Sequence, residues 1–507
     1  MAPFKFLLIP LALLPFTWGY GQTEVQNETT LSSPLSDPKQ SLLEKFSQLV
    51  RKNDDFVTDN RGWIYSHEPE GFNAIIDSME QTVLTLVQQY EGEVEGIDSP
   101  TRDSLLTASQ FKHRRYRLLY PNNYNRFADF TRKAAVPADY FETVMEGSFH
   151  DSSFVQYKEY RRCVNYYLDI LSAGEYKFRH LEYVPEKRLD NRYDAIVGLD
   201  ALQSIKDFLI KEHFTSNIWT YRVEAFDDAF ARVGEDVKNP AYLQEITDTY
   251  QMGTERRKAA SELRVYKTVD GIVLNAHIFY PEGHEKGDAR PAHLFFNGGG
   301  WAIGLPEWSY GACQGAAEEG RVAIAFDYRI RNVHGTDVKA SVSDALAAIA
   351  WVREHAQDLG IDPNKVLADG FSAGAHLALV SSMIENREEF GVTSAYSSRP
   401  DAIILGSCPY DIAGRDVYNV TYDTKIISPL HLLEENLPPI LAFHGEADDM
   451  VEFSEFQAFK EAIGKTNNSF TSRSYAGAGH FYFEKNSPED AEERSRLREA
   501  FIRENGF

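Results

Sequence analysis

The sequence predicts an α/β fold with a mostly parallel central sheet, preceded by an all-α helical domain. Three observations predict it. Apolar residues recur at helical spacing from about residue 41 to 258. Beyond that point, short apolar runs alternate with helical patterns, which is how βα units build a parallel sheet. Within the second region a buried run, a serine flanked by glycines and a small-residue helix follow one another without a gap. At 507 residues and 43% apolar, the chain can bury more than one core.

The first residues, MAPFKFLLIPLALLPFTWGYGQ, carry Lys5, an apolar stretch from Phe6 to Trp18, and Gly19 and Gly21 before Gln22. This is the layout of a cleavable signal peptide over 1–21. The apolar run is too short to span a bilayer and holds Pro10 and Pro15, so stable membrane insertion is not expected. The expected location is secreted or periplasmic. Residues 22–40 are polar and rich in Ser, Thr and Pro, as in a flexible leader.

Residues 41–258 form the helical domain. Phe72, Ile75, Ile76, Met79, Val83, Leu86, Val87 and Tyr90 share one helical face. Tyr157, Tyr160, Val164, Tyr167, Leu168 and Leu171 make a second stripe. Val197, Leu202, Ile205, Phe208 and Leu209 make a third, and Trp219, Val223, Phe226 and Phe230 a fourth. Six to nine helices and no strand are expected. Aromatic stripes at this spacing are core before they are a binding surface.

Residues 259–507 read differently. The segment 263–281 is a hairpin with Asp270-Gly271 at its turn. Strands follow at HLFFN (293–297), VAIAFDYR (322–329), VLADGFS (366–372), AIILGSC (402–408), ILAFHG (440–445) and SRSYAG (472–477). Val342, Ala345, Leu346, Ile349 and Val352 mark one intervening helix, and Phe456, Phe459 and Ile463 another.

The chemistry-bearing residues cluster at strand ends. Gly370-Phe371-Ser372-Ala373-Gly374 has the strand–turn–helix context of a nucleophile elbow. Ser372 is the candidate nucleophile. Asn297-Gly298-Gly299-Gly300 lets backbone approach a substrate, so Gly298 and Gly299 are candidate oxyanion donors, with the N–H of Ala373 as a third. A serine needs a base, and the base a carboxylate to orient it. His480, in a Gly-flanked loop after a strand, is the candidate base. Asp448 is preferred as the acid for its place a few residues past a strand end, with Asp449 and Glu446 as alternatives. His376 reads as a helix-packing residue, and His444 as a support for the acid loop. His334 reads equally as part of the site's mouth or as surface.

Composition narrows the remaining classes. A net charge of −24 and a pI near 5.1 repel phosphate backbones, which excludes nucleic acid as an expected partner. Cys163, Cys313 and Cys408 are too few and too scattered for a disulfide framework and are expected as buried thiols. No HExxH or clustered His/Cys spacing suggests a metal, and no cofactor motif appears.

With these motifs in place, residues 260–507 resemble the esterase/lipase group of α/β-hydrolases that includes acetyl-esterase-like and acetylxylan-esterase-like enzymes. The likeness runs through NGGGWAIG (297–304), FDYRI (326–330), WVREHAQDLGIDPNKV (351–366), GFSAGAHLA (370–378), SPLHLL (428–433), HGEADDMV (444–451) and AGAGHFYF (476–483). By position, the resemblance implies Ser372 as nucleophile, Asp448 as acid, His480 as base, and Gly298, Gly299 and Ala373 as oxyanion donors. It also implies ester hydrolysis without a cofactor, on short acyl groups such as acetyl esters of polysaccharide. The chain departs from the group's pattern at Asn297, where a His is usual, and at Ala375, where a Gly is usual. The helical domain resembles, around YPNNYNRFADF and YKEYRRCVNYYLDIL, the domain that precedes a thioredoxin-like domain in many secreted Bacteroidetes proteins. That second likeness carries no catalytic motif.

Two rival readings remain. A serine peptidase of the prolyl-oligopeptidase kind shares the catalytic fold but pairs it with a β-propeller, not helices. For a helical binding module carrying an inactive hydrolase, the complete set of Ser, Asp, His and glycine loop argues against loss of activity, while a helical module could still position an active esterase on its substrate.

Overall fold

A computed structural model describes residues 38–93, 99–128, 134–178, 188–413, 415, 420–484 and 487–507. The signal-like residues 1–21 and most of the polar leader lie outside the described residues. Contacts divide the chain into two units. One is drawn from residues up to Leu181 together with Asn191–Ile210 and Glu235–Pro240. The other takes Lys211–Gly234 and Ala241–Phe507, with a short piece ending at Asp190.

The first unit is helical, and no strand precedes Glu262 among the described residues. The first stripe falls on the helix Pro69–Glu93, where Phe72, Ile76, Val83 and Val87 are buried. Phe72 stacks between Tyr65 and Tyr120 at centroid distances of 5.3 and 4.3 Å. The second stripe falls on the helix Lys158–Phe178, which buries Tyr160, Val164 and Leu168. The third stripe is not one helix. Arg188–Val197 ends, and Gln203–Asn217 begins, because the N–H of Leu202 leaves the helical ladder for the Phe149 carbonyl at 3.0 Å. In the second unit the fourth stripe is broken too. Trp219 stands in a turn closed by Thr220 and Tyr221 N–H bonds to the Asn217 carbonyl, and the helix Asp227–Asp236 starts later. Ten α-helical segments precede the first strand among the described residues, two of them five residues long, which exceeds the number that the stripes suggest.

The sheet of the second unit has eight strands: β1 (Glu262–Val269), β2 (Ile272–Phe279), β3 (Arg290–Phe296), β4 (Val322–Phe326), β5 (Ile361–Phe371), β6 (Ala402–Gly406), β7 (Ile440–Gly445) and β8 (Phe470–Tyr475). Their order is β1-β2-β4-β3-β5-β6-β7-β8. β1 and β2 form the expected hairpin, with Asp270 at φ 50° and Gly271 at φ 80° in its turn. β2 meets β4 antiparallel, and every later pairing is parallel. The chain thus has an α/β-hydrolase sheet, mostly parallel with an antiparallel edge.

Alternation sorts the strand residues onto two buried faces. Leu294, Phe296, Ile324, Phe326, Ile403 and Leu405 face a core shared with Val342, Leu346, Ile349 and Leu377. Phe295, Ala323 and Ala325 face Tyr310, Cys313 and Ala316 of the helix Tyr310–Glu318. Ile404, Leu441 and Phe443 are covered by Phe501 and Ile502 of the C-terminal helix. With both faces covered, the parallel strand ends are free to carry the polar groups described below. Cys163, Cys313 and Cys408 are buried free thiols.

Phe326 tests this core directly. It is fully buried, stacks on Phe296 at 5.7 Å and meets Tyr266 edge-on at 5.3 Å. Phe326→Ala is expected to cost about 3–5 kcal/mol. Urea unfolding of the sheet-bearing unit checks this; a loss well below 1 kcal/mol would contradict the packing.

Candidate active site

β5 ends at Phe371 and the helix Ala373–Val380 begins two residues later, so the chain turns sharply on Ser372. Ser372 takes φ 54° and ψ −123°, a sparsely populated backbone state for a residue with a side chain. The surroundings hold it there. Its N–H donates to the Gly406 carbonyl at 2.7 Å. A β-carbon on Gly370 would lie 2.3 Å from the Gly374 carbonyl, and one on Gly374 would lie 1.9 Å from the Phe296 carbonyl oxygen. Both glycines are therefore required by close backbone approach, not by flexibility. Strand, turn and helix are locked together with Ser372 at the apex.

The structure joins Asp448 and His480. Asp448 Oδ2 lies 2.8 Å from His480 Nδ1, and both residues are buried. The other carboxylate oxygen accepts N–H bonds from Met450 at 2.9 Å and Val451 at 2.8 Å. Burial pushes the Asp448 carboxyl upward, but the His480 hydrogen bond and charge and these two N–H groups outweigh it. It is held below the usual carboxylate range. The neighbouring acids do other things: Glu446 accepts from Ser474 Oγ at 2.7 Å, and Asp449 is exposed.

His480 and Ser372 share supports at the end of β6. While Gly406 accepts the Ser372 N–H, the next residue, Ser407, donates its hydroxyl to the His480 carbonyl at 2.8 Å. Phe371 packs its ring 5.1 Å from the His480 imidazole. Ser407, at φ 45°, is one residue that sequence reasoning missed; its signal was a Gly-Ser pair closing a strand.

Tyr328, the second missed residue, grips the glycine loop. Its hydroxyl donates to the Asn297 carbonyl at 2.8 Å and lies 3.4 Å from the Gly298 carbonyl. Asn297 Nδ2 donates to the same Gly298 carbonyl at 2.9 Å. In a trans peptide the N–H points opposite to the C=O. The N–H groups of Gly298 and Gly299, which belong to these two peptides, therefore both face away from Tyr328. Gly298 borders the elbow: a β-carbon there would lie 3.3 Å from Ser372 Cβ. Ala373 is the first residue of its helix, so its N–H has no intrahelical acceptor. Gly298 and Ala373 thus belong to backbone that adjoins Ser372, with Gly299 next in the chain, and backbone N–H groups so placed can stabilise a developing oxyanion.

Three further histidines that the sequence singles out are held by backbone groups. His444 Nε2 bonds the Val451 carbonyl at 2.9 Å and lies 3.4 Å from Asp448 Oδ2, so it supports the acid loop; burial lowers its pKa. His376 is fully buried, bonds the Ile427 carbonyl at 2.7 Å, and is lowered to about 4 by burial. His334 accepts the Ile330 N–H at 3.0 Å and is likewise lowered to about 4, chiefly by burial.

The BD-FAE family model matches residues 277–413, a stretch that takes in the glycine loop and Ser372 and ends before Asp448 and His480. Esterase LipC of Mycobacterium tuberculosis is 25% identical over 213 residues, 38% of this chain and 52% of that protein. A probable isoprenylcysteine alpha-carbonyl methylesterase of Arabidopsis thaliana is 26% identical over 218 residues, 38% of this chain and 45% of that protein. The chain spans about half the length of the curated relatives it matches. Among solved structures, the propionate-bound esterase Est2 of Thermogutta terrifontis is 34% identical, with 49% of this chain covering 95% of that chain at a TM-score of 0.46.

The depressed Asp448 pKa has a pH consequence. Its stabilising contribution is fully present above the unfolded-state value of about 3.9 and is lost as pH falls through the lower folded-state value. Asp448→Asn is therefore expected to melt below wild type at neutral pH, with the gap closing as pH drops from about 5 toward 2. Melting temperatures across that range check this, and a gap independent of pH would remove the carboxylate from the account.

Proposed function

Because the chain belongs to the esterase/lipase family of α/β-hydrolases, we propose that it is a serine carboxylic-ester hydrolase acting through an acyl-enzyme on Ser372. The observation that carries this reading is the buried Asp448–His480 hydrogen bond beside a strained serine elbow. A carboxylate at Nδ1 fixes the proton there, which leaves Nε2 as the basic nitrogen. In the proposed cycle Ser372 Oγ attacks the ester carbonyl as His480 Nε2 takes its proton. Asp448 steadies the imidazolium that forms. Charge on the carbonyl oxygen is met by the N–H groups of Gly298, Gly299 and Ala373. The imidazolium then protonates the leaving alcohol. Water, deprotonated by the same nitrogen, releases the acid and restores Ser372.

For substrate, the resemblance to acetyl-esterase-like and acetylxylan-esterase-like enzymes supports short, acetyl-type acyl groups, with esterified polysaccharide as the larger alcohol part. Residues 1–21, read as a signal peptide, make it an exported enzyme, secreted or periplasmic. Among the described residues no helix is long and apolar enough to cross a membrane.

Hydrolysis of p-nitrophenyl acetate, butyrate and octanoate by the mature chain, beside Ser372→Ala, tests the proposal. Wild type is expected to favour acetate. The variant is expected to lose several orders of magnitude, leaving on the order of 10³-fold over water. Equal, negligible rates for both proteins would sink the esterase reading, and a preference for octanoate would remove the short-acyl part.

A further inference from the structure

The catalytic motifs all lie after residue 296, yet the glycine loop is held from before the sheet begins. Four consecutive residues in the turn ahead of Val223 reach it or its supports. The Trp219 carbonyl accepts Trp308 Nε1–H at 2.9 Å. The Thr220 carbonyl accepts the N–H of Gly304 at 3.2 Å. The Tyr221 hydroxyl accepts from Asn332 Nδ2 at 3.3 Å. The Arg222 guanidinium lies 3.0 Å from the fully buried carboxylate of Asp327 and also reaches the Val273 carbonyl at 3.4 Å.

Each of these contacts lands one step from the oxyanion loop. Gly304 lies against the loop's start, where a β-carbon would meet Asn297 Nδ2 at 2.3 Å and the Gly298 carbonyl at 2.6 Å. Asp327 precedes Tyr328, whose hydroxyl sets the Asn297 and Gly298 carbonyls. Asn332 and its neighbour Arg331 donate their N–H groups to the Ala302 and Trp301 carbonyls at 3.1 and 2.9 Å. Both walls of the loop, 297–304 and 327–332, are thus tied to Thr220, Tyr221 and Arg222, with Trp219 held by Trp308 just beyond the first.

Resting on the ester-hydrolase reading above, we infer that Trp219–Arg222 is a clamp on the oxyanion loop and that Arg222 is a positioning residue for the Gly298 and Gly299 donors. Arg222 acts through Asp327 and Tyr328 and touches no reacting atom. The salt bridge is one of the contacts that hold Asp327, beside those of Asn275, Arg257 and His277; Asp327 adjoins Tyr328, and the Tyr328 hydroxyl holds two peptide planes. A plain brace would add stability alone. A clamp on donors that are used in the transition state changes kcat more than KM.

The experiment uses the full chain. Arg222→Met removes the charge, Arg222→Lys is the conservative rescue, and Tyr221→Phe with Trp308→Phe removes two clamp hydrogen bonds without stranding a buried charge. Complete loss of one oxyanion donor lowers kcat by about 10²–10³, so a loosened loop is expected to lower kcat by about tenfold or more with KM for p-nitrophenyl acetate little changed. Arg222→Lys is expected to recover part of it. Hydrogen–deuterium exchange over 297–305 is expected to speed up, while 338–354 stays as in wild type. If Arg222→Met does not fold, the double variant decides. Folded variants with wild-type kcat, a change confined to KM, or unaltered exchange over 297–305 would overturn the clamp. Should wild type show no Ser372-dependent hydrolysis, the functional reading fails on its own, and the exchange measurement still decides the clamp.

Discussion

The Phe296 carbonyl occupies the place where a β-carbon on Gly374 would have to go, 1.9 Å away, and the rest of the candidate site depends on that contact. It presses the end of β3 onto the first turn of the helix behind Ser372. Only then do the glycine loop, which continues from β3, and the elbow, which continues from β5, come within a methyl group of each other. Gly370, Gly298 and Gly445 repeat the constraint, each with other backbone atoms 3.0 Å or less from the place a β-carbon would take. Interiors packed to this density do not absorb an added carbon by small adjustments. Ser372 keeps its strained φ of 54° because strand, helix and neighbouring loop all oppose its relaxation.

The second constraint is electrostatic. Asp327, Asp344 and Asp448 are carboxylates with no exposed side-chain surface, and each lies against charged or polar partners. Asp344 takes Arg329 Nε and Nη2, Lys267 at 2.6 Å, and the Arg329 N–H. Asp327 takes Arg222, His277 Nε2 at 3.4 Å, Arg257 at 3.8 Å and two groups of Asn275. Burial alone would raise its carboxyl; these partners hold it far below the usual range. Breaking such a pair by removing one member costs about 3–5 kcal/mol, because the survivor is left charged and dry. Asp448 is held by the His480 imidazole at 2.8 Å and by the N–H groups of Met450 and Val451. Asp344 is paired with Arg329 and Lys267, and Asp327 with two arginines and the His277 imidazole, so both serve as fixed anchors, whereas Asp448 orients the candidate base.

Much of this was legible in the sequence, and the reason is local. A hairpin turn at Asp270-Gly271, six strand runs and a serine between glycines each leave a signature within ten residues, and each appears in the sheet or at its edge. Asp448 and His480 were legible by their positions past strand ends, where a parallel sheet presents polar groups. Period alone misled at 197–209 and 219–230. There apolar residues keep a helical phase across a break, and the break is made by hydrogen bonds to distant or turn partners that no window of sequence contains. Tyr328 and Ser407 were missed for the same reason. Each acts by donating a hydroxyl to a carbonyl many residues away, 31 and 73 positions respectively.

The departure at Asn297 can be argued through on these terms. An imidazole there would have one N–H to give to the loop; the amide gives Nδ2 to the Gly298 carbonyl and lies 3.3 Å from the Tyr328 hydroxyl as well. The amide needs room, and the room is supplied at Gly304, where φ is 127° and a β-carbon would fall 2.3 Å from Nδ2. Asn297 and Gly304 are therefore a matched pair: the amide closes the loop on itself, and the glycine admits it. Because Gly304 has no side chain, its backbone can come close enough to turn its N–H outward to Thr220. The substitution that looks like a loss of a family residue is thus accommodated inside the loop, and it is the same glycine that ties the loop to the segment ahead of the sheet.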